Sequence, residues 1–233
     1  MRPLLFLIWA LLCLCSPALA QDDDDEIYMH DTLQLGTYDN PFVAGIMVGG
    51  NTGNMRNDNF PGFHNLGYSA GLTVYVRLLP HLWVNTEILY VKKGCTGVRS
   101  SESVYWGTYF EKYYLKMSYA ELPVVFHLFQ KSWYHLSFGA SYSRYLNSKE
   151  SLYTSPDPIF INQEKFYFNK NNFDYIVGGG LHINKKLYLN VRYQGSITRV
   201  RDAFRVHPYV GAGDQYVTTC SLQLMYMFRT ITR

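Results

Sequence analysis

The chain has 233 residues, with 21 Lys and Arg, 18 Asp and Glu, and an aromatic content of 17% that includes 21 Tyr. A formal charge of +3 spread without any basic cluster excludes a nucleic-acid surface. After the first twenty residues no apolar run reaches the length of a membrane helix, so any membrane-spanning structure must be a closed barrel of strands.

Residues 1–20 have the form of a cleaved signal peptide. Met1-Arg2 gives a positive start, Leu4 to Leu14 an apolar run too short to span a bilayer, and Ala18-Leu19-Ala20 a small-x-small cleavage site. Leu12-Cys13-Leu14 before Cys15 lacks the small residues that a lipoprotein signal needs. Cutting after Ala20 leaves 213 residues and removes one Arg, taking the formal charge from +3 to +2. Asp22 to Asp25 then open an acidic linker over 21–40, read as a solvated segment rather than a cation site. The barrel itself is expected over 41–233.

The predicted strands follow in order. Phe42 to Gly50 is a glycine-rich first strand. Leu66 to Leu78 alternates Leu66, Tyr68, Ala70, Leu72, Val74, Val76 and Leu78 with Gly67, Ser69, Gly71, Thr73, Tyr75 and Arg77. Leu82 to Lys93 sets Leu82, Val84, Ile88 and Tyr90 against Trp83, Asn85 and Glu87. In the fourth strand, Tyr113 to Phe129, Leu115, Met117 and Tyr119 share one face, and Leu122, Val124, Phe126 and Leu128 continue it one residue out of phase. A bulge near Tyr119-Ala120, before Pro123, is expected there. The fifth strand begins at Tyr134, the sixth spans Phe173 to Ile183, the seventh Leu187 to Ser196 and the eighth Tyr216 to Phe228, all with the same alternation.

Three connections are tight, at Leu79-Pro80-His81, Gln130-Lys131-Ser132 and Asn184-Lys185-Lys186. Four are long, over 51–65, 94–112, 147–171 and 200–214. Short and long alternate without exception, as an up-and-down transmembrane barrel with periplasmic turns and extracellular loops requires. A soluble lipocalin-like barrel is the alternative, but the minority face is Gly, Ser, Thr, Asn, Gln, Glu and Arg, which cannot form an apolar core. The Leu/Val/Phe/Tyr face is therefore expected to meet lipid, with Tyr90, Tyr134, Tyr188 and Tyr226 in an interfacial girdle. The expected fold is all-β, an eight-stranded antiparallel transmembrane barrel in the outer membrane.

The ordered motifs Gly45-Ile46-Met47-Val48-Gly49-Gly50-Asn51, Gly67-Tyr68-Ser69-Ala70-Gly71-Leu72, Glu87 to Gly94, Tyr119 to Val124, Phe138 to Tyr142, Gly178 to Leu181 and Val191-Arg192-Tyr193 resemble the PorT-like outer-membrane β-barrel proteins of the Bacteroidota. The resemblance covers about Gly45 to Phe228. It implies an outer-membrane barrel, in a family that includes a secretion and gliding-motility component. The chain departs from the usual barrel ending, because Phe228 is followed by Arg229 to Arg233.

Chemistry is sparse. Glu87, Glu121 and Arg192 fall on the polar face at similar heights, with Arg77 lower; buried charges there must pair, so a structural plug is expected in which Arg192 bridges Glu87 and Glu121. A gated proton or ion path is the alternative use of these charges. His127, His135 and His182 are placed in the lumen near the short-turn rim, as hydrogen-bonded residues rather than a metal site. Gly178-Gly179-Gly180 lies mid-strand and is expected to admit a bulky lumen side chain, not a nucleotide. Cys95 and Cys220 sit on strands that are not neighbours, so no disulfide is expected. No ordered Ser–His–acid set marks an enzyme, and no catalytic, cofactor or metal residue is assigned. The expected role is that of a structural or interaction component of the envelope acting through its external loops, in contact with outer-membrane lipids and with envelope partners through 51–65, 94–112, 147–171 and 200–214. The alternatives are a small ligand-binding or narrow transport barrel and, more remotely, a lipid-modifying enzyme.

Overall fold

The computed structural model describes residues 42–228 apart from 61–64, 80, 104–106, 132–133, 154–157, 162–164, 185 and 209. The expected signal peptide, the acidic linker and Arg229 to Arg233 lie outside the described residues. Among the described residues there are nine strands: β1 (Phe42–Arg56), β2 (Asn65–Leu79), β3 (Leu82–Ser103), β4 (Gly107–Lys131), β5 (Tyr134–Tyr153), β6 (Pro158–Phe160), β7 (Asn171–Asn184), β8 (Leu187–Ser196) and β9 (Tyr216–Met227). Eight of them form a closed antiparallel ring, β1-β2-β3-β4-β5-β7-β8-β9, sealed where β1 pairs with β9 from Gly45↔Met227 to Arg56↔Tyr216. β6 is a three-residue addition to the far end of β5.

Closure gives every ring strand a partner on both sides, which is the condition for placing peptide groups in hydrocarbon. The outward face confirms the expected alternation. Ile46, Val48, Leu72, Ile88, Leu122, Val124, Leu136, Phe138, Val177, Val191, Leu222 and Leu224 are all exposed. Such a continuous apolar belt is stable only against lipid. Aromatic pairs rim it towards the long connections, Tyr68–Tyr90 at 6.2 Å, Tyr142–Phe173 at 5.5 Å and Tyr175–Tyr193 at 6.2 Å between centroids. Tyr226 and Phe228 do so at the other end. Tyr188 does not belong to this girdle: it is buried in the lumen, its ring 4.4 Å from that of His182.

Several long connections are shorter than expected, because the strands outrun the membrane. About ten residues suffice to cross a bilayer, yet β3, β4 and β5 have 22, 25 and 20. Within the segment 94–112, β3 and β4 stay paired as far as Ser103↔Gly107.

The bulge is also displaced. β4 keeps one register with β3 throughout, and Tyr113, Leu115, Met117, Tyr119, Glu121, Val125 and His127 all face inward. The extra residue is Leu146 on β5, where pairing with β4 slips between Ser118↔Asn147 and Tyr119↔Tyr145. What slips in β4 is polarity. Within the membrane its apolar side faces out to lipid, and beyond it its apolar side faces in to a packed core.

Candidate functional site

The lumen is filled at three levels. Near the short turns, the rings of His127 and His135 lie 4.7 Å apart and His135 Nδ1 is 3.3 Å from His182 Nε2, with Phe129, Trp83 and Tyr75 around them. The three histidines are therefore together in the lumen, as the sequence parity requires. Gly180 makes room for them, since a side chain there would run into the His135 imidazole and the Asn190 amide. Among the described residues, no group of three His, Cys, Asp or Glu is arranged to hold a metal ion.

At mid-barrel, Arg192 grips Glu87 in a two-pronged pair at 2.8 and 2.6 Å, and Asn85 Nδ2 donates to Glu87 at 3.0 Å and to Thr73 at 2.9 Å. Arg192 does not bridge to Glu121. That carboxylate takes Lys93 Nζ at 2.7 Å, and the same ammonium lies 3.8 Å from Asp174 and 4.6 Å from the Tyr119 ring centroid. Gln194 Nε2 ties the two acids, donating to Asp174 at 2.8 Å and Glu121 at 3.3 Å, and Ser143 donates to Asp174 at 2.7 Å. The Arg77 guanidinium lies 5.8 Å from the Trp83 ring centroid, and both ion pairs form without it. A void of about 20 Å³ is lined by Asn51, Lys93, Glu121, Arg192, Thr219 and Gln223, roughly the room of one water. Lys93 and Asp174 are the members that sequence reasoning missed. Both carry the inward parity of their strands, but their height across the bore depends on strand stagger, which parity does not give.

Above this level the bore is closed by protein. Met55, Phe60, Tyr113, Leu115, Met117, Tyr119, Leu152, Phe168, Val206 and Val210 form one buried cluster drawn from strand ends and connections. At its centre Arg201 pairs with Glu150 at 3.0 and 2.6 Å, Tyr113 donates to the same carboxylate at 2.5 Å, and the guanidinium lies 3.7 Å over the Phe168 ring. The connections are laced together by backbone bonds, Asn59 N–H to Val210 O at 2.8 Å and Asn169 N–H to Val200 O at 2.8 Å. Asn57 takes a φ of 66° to make the turn and donates to Asp214 O at 2.7 Å. Asn tolerates that left-handed conformation better than most residues.

The cap carries an exposed aromatic–cation stack. The Arg205 guanidinium sits 4.1 Å from the Tyr167 ring centroid and 4.8 Å from that of Phe204, and is held by Asn169 at 2.8 Å and Asp202 at 3.1 Å. Phe204 is 79% exposed. Cys95 and Cys220 are both free thiols, in keeping with their places on the non-adjacent β3 and β9.

A family described as outer membrane protein β-barrel domain matches residues 20–201. Among solved structures, the attachment invasion locus protein of Yersinia pestis is 13% identical, with 80% of this chain and 98% of that one covered and a TM-score of 0.44. Neisserial surface protein A is 10% identical over 81% and 97% at 0.41, and OprG from Pseudomonas aeruginosa 10% over 81% and 96% at 0.33. Comparison with curated proteins gives no match.

Proposed function

The chain belongs to the outer membrane protein β-barrel domain family and resides in the outer membrane; from that premise we propose that it is a non-catalytic, non-conducting barrel that displays a rigid cap for contact with other envelope or surface components. The carrying observation is the exposed Tyr167–Arg205–Phe204 stack on a cap whose underside is packed. Aromatic and arginine side chains on a pre-ordered support are the usual anchors of protein interfaces, because little entropy is lost when they dock. A role in a secretion or surface assembly, and a finer place among PorT-like barrels, rest on the ordered strand motifs from Gly45 to Phe228.

The ion-pair plug and the apolar cluster above it argue against transport. Among the described residues, a depression of about 570 Å³ lies on the outer wall beside Gly179, Val177 and Val191. In living cells, a photoreactive group at position 204 or 167 is expected to give discrete protein adducts, and at lipid-facing position 191 none. The purified barrel is expected to be silent in planar bilayers. Steady unitary conductance, or no protein adduct from 204 and 167, would overturn the reading.

A further inference from the structure

We propose that the outward face of the β4–β5 wall, just above the apolar belt, is a docking groove for the phosphorylated saccharide headgroup of an outer-leaflet glycolipid. Lys112 and Lys116 on β4 and Lys149 on β5 are exposed there, around a groove of about 520 Å³ completed by Tyr114, Ser151 and Tyr153.

The charges of this wall are sorted by side. Its acids Glu111, Glu121 and Glu150 are turned inward and spoken for by Arg99, Lys93 and Arg201. The three lysines face outward, with no acidic partner among the described residues. Lys116 stands directly opposite Lys149 in the strand pairing. Like charges in that position repel, and an anion between them removes the repulsion. The Tyr114 and Tyr153 rings meet edge-on at 5.6 Å, with the Lys112 ammonium 4.9 Å from the Tyr114 centroid. They offer flat apolar surface for a sugar ring beside its phosphate.

Height selects the ligand. The belt ends where Tyr90 pairs with Ala120, and Lys116 lies four residues further along β4. At about 3.3 Å per residue and a tilt of about 40°, that is roughly 10 Å above the hydrocarbon. Phospholipid headgroups fill only the first ~5–8 Å, whereas a phosphorylated oligosaccharide extends through that height.

The test is glycolipid retention by the purified full-length barrel in nanodiscs, read by native mass spectrometry. The probes are lipopolysaccharide, its enzymatically dephosphorylated form, phosphatidylglycerol and inorganic phosphate, and folding is verified by heat-modifiable gel mobility. Wild type is expected to hold lipopolysaccharide at least tenfold better than K112Q/K116Q/K149Q, and K112R/K116R/K149R to match wild type. Dephosphorylation should erase the difference. Equal retention by wild type and the glutamine variant would overturn the proposal. So would phosphatidylglycerol or inorganic phosphate binding as tightly through the same lysines, since either would make the site indifferent to the saccharide.

Discussion

Among the described residues, Lys93 is the single cation facing both Glu121 and Asp174 at close range, and this makes it the most sensitive residue of the plug. Removing one partner of a buried pair strands the other charge, at a cost of about 3–5 kcal/mol. K93M is expected to lose about that much stability to urea in detergent, and adding E121L to recover a large part of it. Equal stability of K93M and wild type would mean the plug is wet. Asp58 behaves differently. Burial pushes its carboxyl up to about 6, against hydrogen bonds from the Phe60 amide and the Cys95 thiol. Because this lies above the ordinary value of 3.8, the closed turn favours the neutral acid. That contribution is complete below pH ~3.8 and is lost as pH rises through about 6. Amide exchange at residues 57–60, corrected for intrinsic rate, should be slower at pH 5 than at pH 7.5 in wild type and pH-independent in D58N. A pH step that survives in D58N would assign it elsewhere. The Arg192–Glu87 pair was half legible from sequence, since parity put both residues inside; the choice of Glu87 over Glu121 was not.

Strand identity and facing were legible wherever lipid touches one side, because lipid and lumen demand opposite chemistry and imprint a period of two. Legibility failed at the membrane's edge. There Lys112, Tyr113, Leu115 and Lys116 keep their sides while the solvents exchange places, so a polarity change in β4 mimics a bulge. The true bulge, Leu146, leaves no such mark, since on β5 both the residues before it and those after it are mixed. It decides a great deal nonetheless: the shift it introduces turns Ser148, Glu150 and Leu152 inward. Deleting Leu146 removes the one residue of this stretch without a β4 partner, so 147–153 keep their pairing and Glu150 stays turned towards Arg201. The variant should keep both its heat-modifiable barrel and wild-type resistance to protease, because the buried pair is retained. Loss of resistance would show that the bend at the bulge, beyond the register it absorbs, positions the cap.

At the scale of the molecule, the alternation of tight and long connections was enough to order the ring. The cap was not foreseeable, because its cluster joins Phe60, Phe168, Val206 and Val210 from connections with no periodicity to read. The seam between β1 and β9 has a consequence for how the molecule comes into being. Its twelve residue pairs join the first ring strand to the last, with most of the chain between them. Any shorter product has two open edges, each a row of peptide groups that hydrocarbon cannot accept and that another chain could capture. Insertion therefore cannot proceed strand by strand as the chain emerges. The chain must wait, unfolded and guarded, until β9 is available, so the arrival of the final strand and the slow search for so distant a partner set the tempo of assembly.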